Sequence, residues 1–396
     1  MAGFFTPAQV RSSQISATGK VLSCAACGLH QKARIVRDSP FGEGLKGIVN
    51  VFAYPIWHHG KNWVDYKEVY KKFGLDIERD CINMSAISCY PVQEGLTQQV
   101  PFCRKYILKH LGAGSWNTVL LHGMTAVHSV IGSRWKKDMG DIQKWRGWHI
   151  PDKVFKTFLC PVYSLQHLQS KDYPEVHSIW NYDMKSALQL QYRAEDFQHH
   201  ENIRVIEKPG ELKQWLDNLE GYEGIAAFDY ETTGLKPHDD GHEVVCASIA
   251  IENECVVFTF ENPHMKTQMA RFLTMPLKRA AHNMKFEYAW SEVFFGVRTT
   301  FIHDSQLAAH VLDCRPNITS LKYQSYIHFG EAGYDEEVSP ILKAKEKGGN
   351  SKNQILKAMK NPATKGKIMR YCAFDSIYEL RLCLKQRKEL YGINDT

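Results

Sequence analysis

Two acidic side chains, Asp229 and Glu231, stand two residues apart in the apolar string IAAFDYETTGL. A β-strand sends alternate side chains to opposite faces, so both carboxylates project to the same side. Burying two like charges together is costly unless cations neutralise them. An oxygen-only donor set suits hard ions such as Mg²⁺ or Mn²⁺. The plainer reading is a solvated strand face, and a bare D-x-E favours it. A second pair shifts the balance. In KIMRYCAFDSIYELRL, Tyr371 and Asp375 are four apart on a strongly helical stretch and share a face. A phenol there can orient a water while Asp375 completes a metal cage; an amphipathic helix with a partly exposed Asp is the alternative. In the first half, Cys24 and Cys27 form a C-x2-C clamp, and Cys89 and Cys103 offer two further thiols. By count these four suit zinc or a [4Fe–4S] cluster equally, against buried free thiols.

The elements that must position these groups read as α/β throughout. Apolar runs at 48–53, 118–122 and 154–159 predict strands, with helices at 64–73 and 101–111 between them. A polar stretch at 166–202 reads as a linker with helical pieces, dividing a domain at 1–165 from one at 203–396. In the second domain, strands at 225–230, 243–251 and 254–260 are joined by short connections, with Asn253 in a tight turn. They predict an antiparallel meander. Helices follow at 265–274, 284–295, 304–313 and 366–389, and 345–352 (KEKGGNSK) reads as a mobile loop.

At 396 residues the chain suggests two or three domains. No apolar run reaches the length of a membrane span, and the N-terminus lacks signal-peptide character. The expectation is a cytoplasmic protein, or one of the host cytoplasm if phage-encoded. Its eleven cysteines are then reduced, serving as metal ligands or core residues. A formal charge of +6 mildly favours a polyanionic partner and identifies none.

Between the two acidic motifs lie AHNMKFEYAW (281–290) and HDSQLAAHVLD (303–313). With them, residues 203–390 resemble the proofreading 3′→5′ exonuclease domain of family A DNA polymerases, in the DEDDy group of the RNase H-like (DnaQ-like) superfamily. FDYETTGL is similar to its first motif, HNMKFE to its second and YCAFD to its third. The resemblance implies a mixed-sheet domain that removes nucleotides from DNA 3′ ends with two Mg²⁺ or Mn²⁺ ions. Asp229, Glu231 and Asp375 become the metal ligands, and Tyr371 aligns the attacking water. The second motif usually ends in Asp; here Glu287 stands there, which implies altered metal preference. Asn283 and Phe286 are implied contacts to the substrate strand, although core packing explains Phe286 and Tyr288 equally well. Asp304 is expected to cap a helix. Single-stranded 3′ ends or primer–template DNA are the implied substrates. No polymerase module follows within the 396 residues, so the expected role is the editing subunit of a separately encoded polymerase, as in phage-type replication proteins. A catalytically silent scaffold subunit is the rival.

Residues 20–168 resemble, patchily, the family 4 uracil-DNA glycosylases. CAACGL, INMSAISCYP with a cysteine fourteen residues on, and LLHGMTAVHSVIG carry the likeness. It implies a parallel-sheet domain and favours iron–sulfur over zinc, with Cys24, Cys27, Cys89 and Cys103 as ligands. The glycosylase chemistry is expected to be missing. FAYPI keeps only Pro55 of the first active-site motif, with Ala53 in the carboxylate's place, and Cys160 replaces the histidine of the second. Glu43 lies too early to substitute. A repair protein still excising uracil is the enzymatic alternative. Lys136, Lys137, Lys144 and Arg146, interleaved with Trp135, Trp145 and Trp148, read either as a basic aromatic DNA surface or as a solvated loop over buried tryptophans.

Overall fold

The computed structural model describes residues 24–90, 96–170, 173–191, 193, 197, 201–343 and 351–395. The chain divides into two compact units, one formed by 1–198 with 326–332, the other by 199–325 with 333–396.

The first unit is built on five strands: β1 (Ile48–Phe52), β2 (Cys81–Ser85), β3 (Thr118–His122), β4 (Ile150–Asp152) and β5 (Thr157–Val162). Their order is β2-β1-β3-β5-β4. The first four in that order are parallel, and β4 is an antiparallel edge strand. Every residue of β1, β3 and β5 is buried, as expected for parallel strands covered on both faces. Helices α1 (Gly60–Lys72) and α2 (Val100–Leu111) make two of the crossovers. The stretch read as a linker differs from expectation. Its helix α3 (Pro174–Leu188) buries Trp180, Met184 and Ala187 in the same core as Phe52, Tyr66 and Leu120. Polar residues dominate its outer face, which is why composition alone suggests a linker. Residues 344–350, most of the expected mobile loop, lie outside the described residues.

The second unit holds six strands: β6 (Ile203–Val205), β7 (Ile225–Thr232), β8 (Val244–Ile251), β9 (Glu254–Thr259), β10 (Lys278–Ala281) and β11 (His303–Asp304). Their order is β11-β10-β7-β8-β9-β6, with β7-β8-β9 an antiparallel meander and the flanking pairs parallel. Helices α4 (Lys285–Phe295), α5 (Ser305–Leu312), the first five residues of α6 (Leu321–Phe329) and α7 (Pro362–Tyr391) belong to this unit. The last is 30 residues long and well bounded. Asn361 accepts the Ala363 N–H at its start, Pro362 supplies the first helical φ, and Gly392 ends it at φ 67°. Between those caps Ile368, Cys372, Ala373 and Cys383 pack against Ile225, Ala227, Ala250 and Val257. The central helix thus lies across the strand that carries Asp229 and Glu231.

Candidate active site

Strand β7 presents Asp229 and Glu231 from adjacent turns of its pleat, opposite Ser248 and Cys246 of β8. The ladder shifts register between Glu231 and Thr232, directly beyond the second carboxylate. A polar seam fixes how α7 lies on this strand. Ser248 Oγ donates to the Cys372 carbonyl at 2.8 Å and lies 2.6 Å from Ser376 Oγ. Cys372 Sγ is 3.3 Å from Ser248 Oγ and 3.5 Å from the Asp229 carbonyl. Each seam residue neighbours a proposed site residue in sequence: Cys372 follows Tyr371 and Ser376 follows Asp375. The seam therefore sets the rotation of α7 that turns these two toward β7.

Ligand atoms of Asp229, Glu231 and Cys372 all lie within 4.8 Å of one another. Burial, then the charge of Asp375, raises the Asp229 carboxyl far above its ordinary value. Burial, then Asp229, does the same to Glu231. Asp375, 5% exposed, is engaged differently: Tyr334 Oη donates to its Oδ1 at 2.6 Å, and the Lys322 ammonium bonds both of its oxygens. Tyr371 faces that ammonium, and its hydroxyl is pushed well up by burial and by Asp375, so the phenol stays protonated at neutral pH.

Glu287, on the first turn of α4, is 2% exposed, and its carboxyl is raised by burial and by Asp229. Glu287 Oε2 and Asp229 Oδ2 are both buried with no hydrogen-bond partner among the described residues. A buried carboxylate oxygen without a donor is costly, and two in one cluster suit a cation. A further acid escaped sequence reasoning. Glu379, one turn beyond Asp375 on α7, is 1% exposed, with Oε1 unpartnered and its carboxyl raised by burial and by Glu287, Asp229 and Asp375. Its i+4 spacing from Asp375 was the available signal.

The remaining residues of this unit divide clearly. Asp304 is the N-cap of α5, its Oδ1 accepting from Gln306 N at 2.9 Å. The same carboxylate accepts the N–H groups of Asn283 and Met284, holding the turn before α4, where Asn283 adopts φ 67°. Phe286 packs against the unit's core, 6.2 Å from the Trp290 ring.

In the first unit the four cysteines gather from three places: the short helix Cys24–Cys27, the segment after β2, and α2. Burial raises Cys89, and the charges of Cys24 and Cys27 add to the shift. Burial pushes Cys103 up to about 11, with smaller contributions from Cys89, Cys27 and Cys24. The neighbouring Cys24 holds the Arg37 guanidinium above its ordinary value. Among the described residues, no three of these sulfurs fall within 4.8 Å of one another. Cys160 lies inside β5, 1% exposed, where Thr118 Oγ1 donates to its sulfur at 3.2 Å and burial raises the thiol to about 12. It is a packed thiol, unsuited to proton transfer at neutral pH. Of the basic aromatic segment, Trp135 and Trp145 are buried and donate to backbone carbonyls, while Arg146 bonds Asp183 at 2.7 Å. Trp135 and Trp145 thus belong to the interior, while Trp148 is half-buried and donates to the Lys144 carbonyl at 3.1 Å.

Residues 203–391 match the family model described as 3′-5′ exonuclease. No curated protein matches the chain. Among solved structures, the catalytic core of RRP6 from Trypanosoma brucei is 15% identical at a TM-score of 0.36, over 48% of this chain and 48% of that one. Brucella melitensis NrnC with bound Mg²⁺ is 20% identical at 0.31, over 49% of this chain and 84% of that one. The POL domain of Pol1 from M. smegmatis, in complex with DNA primer-template and dNTP, is 14% identical at 0.35, over 49% of this chain and 28% of that one. The C-terminal unit is an RNase H-like exonuclease domain, and the chain carries a nuclease of the hydrolase class. Among the described residues no helix is long and apolar enough to cross a membrane.

Proposed function

We propose that this domain removes nucleotides from the 3′ end of single-stranded DNA, and edits primer ends for a separately encoded polymerase. The observation that carries the nuclease reading is the cluster around β7 and α7. There buried carboxylates from separate elements converge, and Asp229 Oδ2 and Glu287 Oε2 have no donor among the described residues. Such a set fits hard divalent cations. Asp229, Glu231 and Asp375 would hold them, with Glu287 reaching through water. The chemistry supplied by bound Mg²⁺ or Mn²⁺ is activation of water and neutralisation of charge at the phosphodiester. The chain's own groups then have defined tasks. Tyr371, a neutral phenol, orients the attacking water. Asn283 and Phe286, at the start of α4, grip the terminal nucleotide. DNA rather than RNA is favoured by the ETTGL continuation after Glu231 and its polymerase-type resemblance.

The first unit is proposed as a DNA-holding or docking module carrying a [4Fe–4S] cluster on Cys24, Cys27, Cys89 and Cys103. The likeness of residues 20–168 to the family 4 uracil-DNA glycosylases favours this choice over zinc. Base excision is not expected of it, since Ala53 and the buried Cys160 offer neither acid nor base.

Digesting a 5′-labelled single strand in Mg²⁺ tests the nuclease reading. A descending ladder from the wild type, lost in Asp229→Ala, is expected. Intact strands with both proteins would leave the scaffold reading in its place. Abasic sites formed in a uracil-containing strand would overturn the reading of the first unit.

A further inference from the structure

One carboxylate of the cluster is fully satisfied while its neighbours are not. Lys322, the second residue of α6, sets its ammonium against both oxygens of Asp375, and Tyr334 donates to one of them. The same ammonium lies 4.3 Å from the ring centre of Tyr371 and 4.8 Å from that of Tyr334. Its side chain is 17% exposed and that of Asp375 is 7% exposed, so the pair is largely shielded from water. Asp229 Oδ2 has no hydrogen-bond partner among the described residues. The ion-sized grouping of ligand atoms contains Asp229, Glu231 and Cys372 but not Asp375. The one proposed ligand missing from that grouping is the one a lysine holds.

We infer that Lys322 is a built-in counter-cation for Asp375 which a divalent ion must displace, making this lysine the residue that sets the metal threshold of the site. The inference rests on the cation site described under Proposed function. Two arguments support it. An ion taking Asp375 as ligand and an ammonium bonded to both its oxygens compete for the same lone pairs. The ammonium also repels an arriving dication, and shielding from water strengthens that repulsion. Lysine suits the role because its flexible four-carbon stem lets a point charge withdraw without moving the helix. The two tyrosine faces hold the ammonium in its metal-free position through cation–π attraction. Lys322 is in this sense a positioning residue, acting through Asp375.

The test is a Mn²⁺ titration of the full-length protein without nucleic acid, reading free Mn²⁺ by electron paramagnetic resonance. Wild type, Lys322→Met, Lys322→Gln, Lys322→Arg and Asp229→Asn are compared, with thermal melts to confirm folding. Removing the charge should tighten Mn²⁺ binding about tenfold or more in Met or Gln, whichever folds, while Arg stays at or weaker than wild type. If wild-type binding is lost in Asp229→Asn yet neither neutral variant binds more tightly, the lysine's role is overturned and the cation site stands. If no protein binds Mn²⁺ in a manner sensitive to Asp229, the cation site itself fails, and this inference with it.

Discussion

Asp229→Asn should make the metal-free protein more stable while abolishing its stabilisation by Mg²⁺. Asp229 Oδ2 is buried without a donor among the described residues, and its carboxyl is raised by burial and by the charge of Asp375. Leaving a buried charge unpaired costs more than leaving a neutral polar group unsatisfied, itself about 1–3 kcal/mol; asparagine stays polar but removes the charge and its repulsion with Asp375 at nearly constant volume, a gain set here at about 1–3 kcal/mol. For a domain of roughly 150–250 residues each kcal/mol moves Tm by about 2–4 °C, so the metal-free variant should melt about 2–12 °C higher. Mg²⁺ at about 100 times its Kd should stabilise the wild type by about 2.7 kcal/mol, roughly 5–11 °C on the same scale, and the variant hardly at all. The pH dependence follows with a definite sign. A carboxyl raised in the folded state adds stability as pH falls, so metal-free wild type should gain on acidification from pH 7.5, and the variant should gain less. Differential scanning calorimetry with and without Mg²⁺ reads all three quantities. A metal-free variant that melts lower than wild type, together with equal Mg²⁺ shifts in both proteins, would refute the reasoning.

Three further outcomes are expected. Glu287→Asp shortens a fully buried acid and should raise the ratio of Mg²⁺- to Mn²⁺-supported digestion rates, with a stability loss of about 1 kcal/mol for the vacated methylene; parallel rate measurements in the two metals check it. His122 is fully buried, stacked 4.6 Å from Phe52, and burial lowers its pKa to about 3. Its contribution is complete above its unfolded value near 6.5 and is lost as pH falls toward 3, so urea unfolding should show wild type losing about 2 kcal/mol more than His122→Gln between pH 6.5 and 5. Anaerobically purified protein should be brown and contain iron and acid-labile sulfide in equal amounts, both lost in Cys89→Ser or Cys103→Ser; a colourless protein carrying one zinc would contradict the cluster.

What the sequence revealed and concealed has physical causes. The meander β7-β8-β9 was legible because its strands are long, apolar and joined by tight turns. Helix α7 was legible because its apolar periodicity runs on for turns around Tyr371 and Asp375. Strand β2 was not, since CINMS places Asn83 in its centre, where Asn50 donates to its side chain at 2.9 Å across the sheet. Strand β10 was hidden by Arg279, whose buried guanidinium donates to the carbonyls of Phe272, Met275 and Leu277. A charged residue in KRAA reads as surface until those carbonyls are in place. Lys322 was invisible for another reason: its partner Asp375 is distant in sequence, and only the folded chain brings the two side chains together. Glu379 was hidden in plain view, one helical turn past Asp375, where it passed for an ordinary helix former.

A nuclease at this site requires the acids of β7 and α7 to seat divalent ions. Anomalous diffraction from crystals soaked in Mn²⁺ tests this most directly. Density bounded by Asp229, Glu231 and Asp375, with the Lys322 side chain withdrawn from Asp375, is the predicted result. Mn²⁺ bound only at other surfaces, with Lys322 still on Asp375, would contradict it.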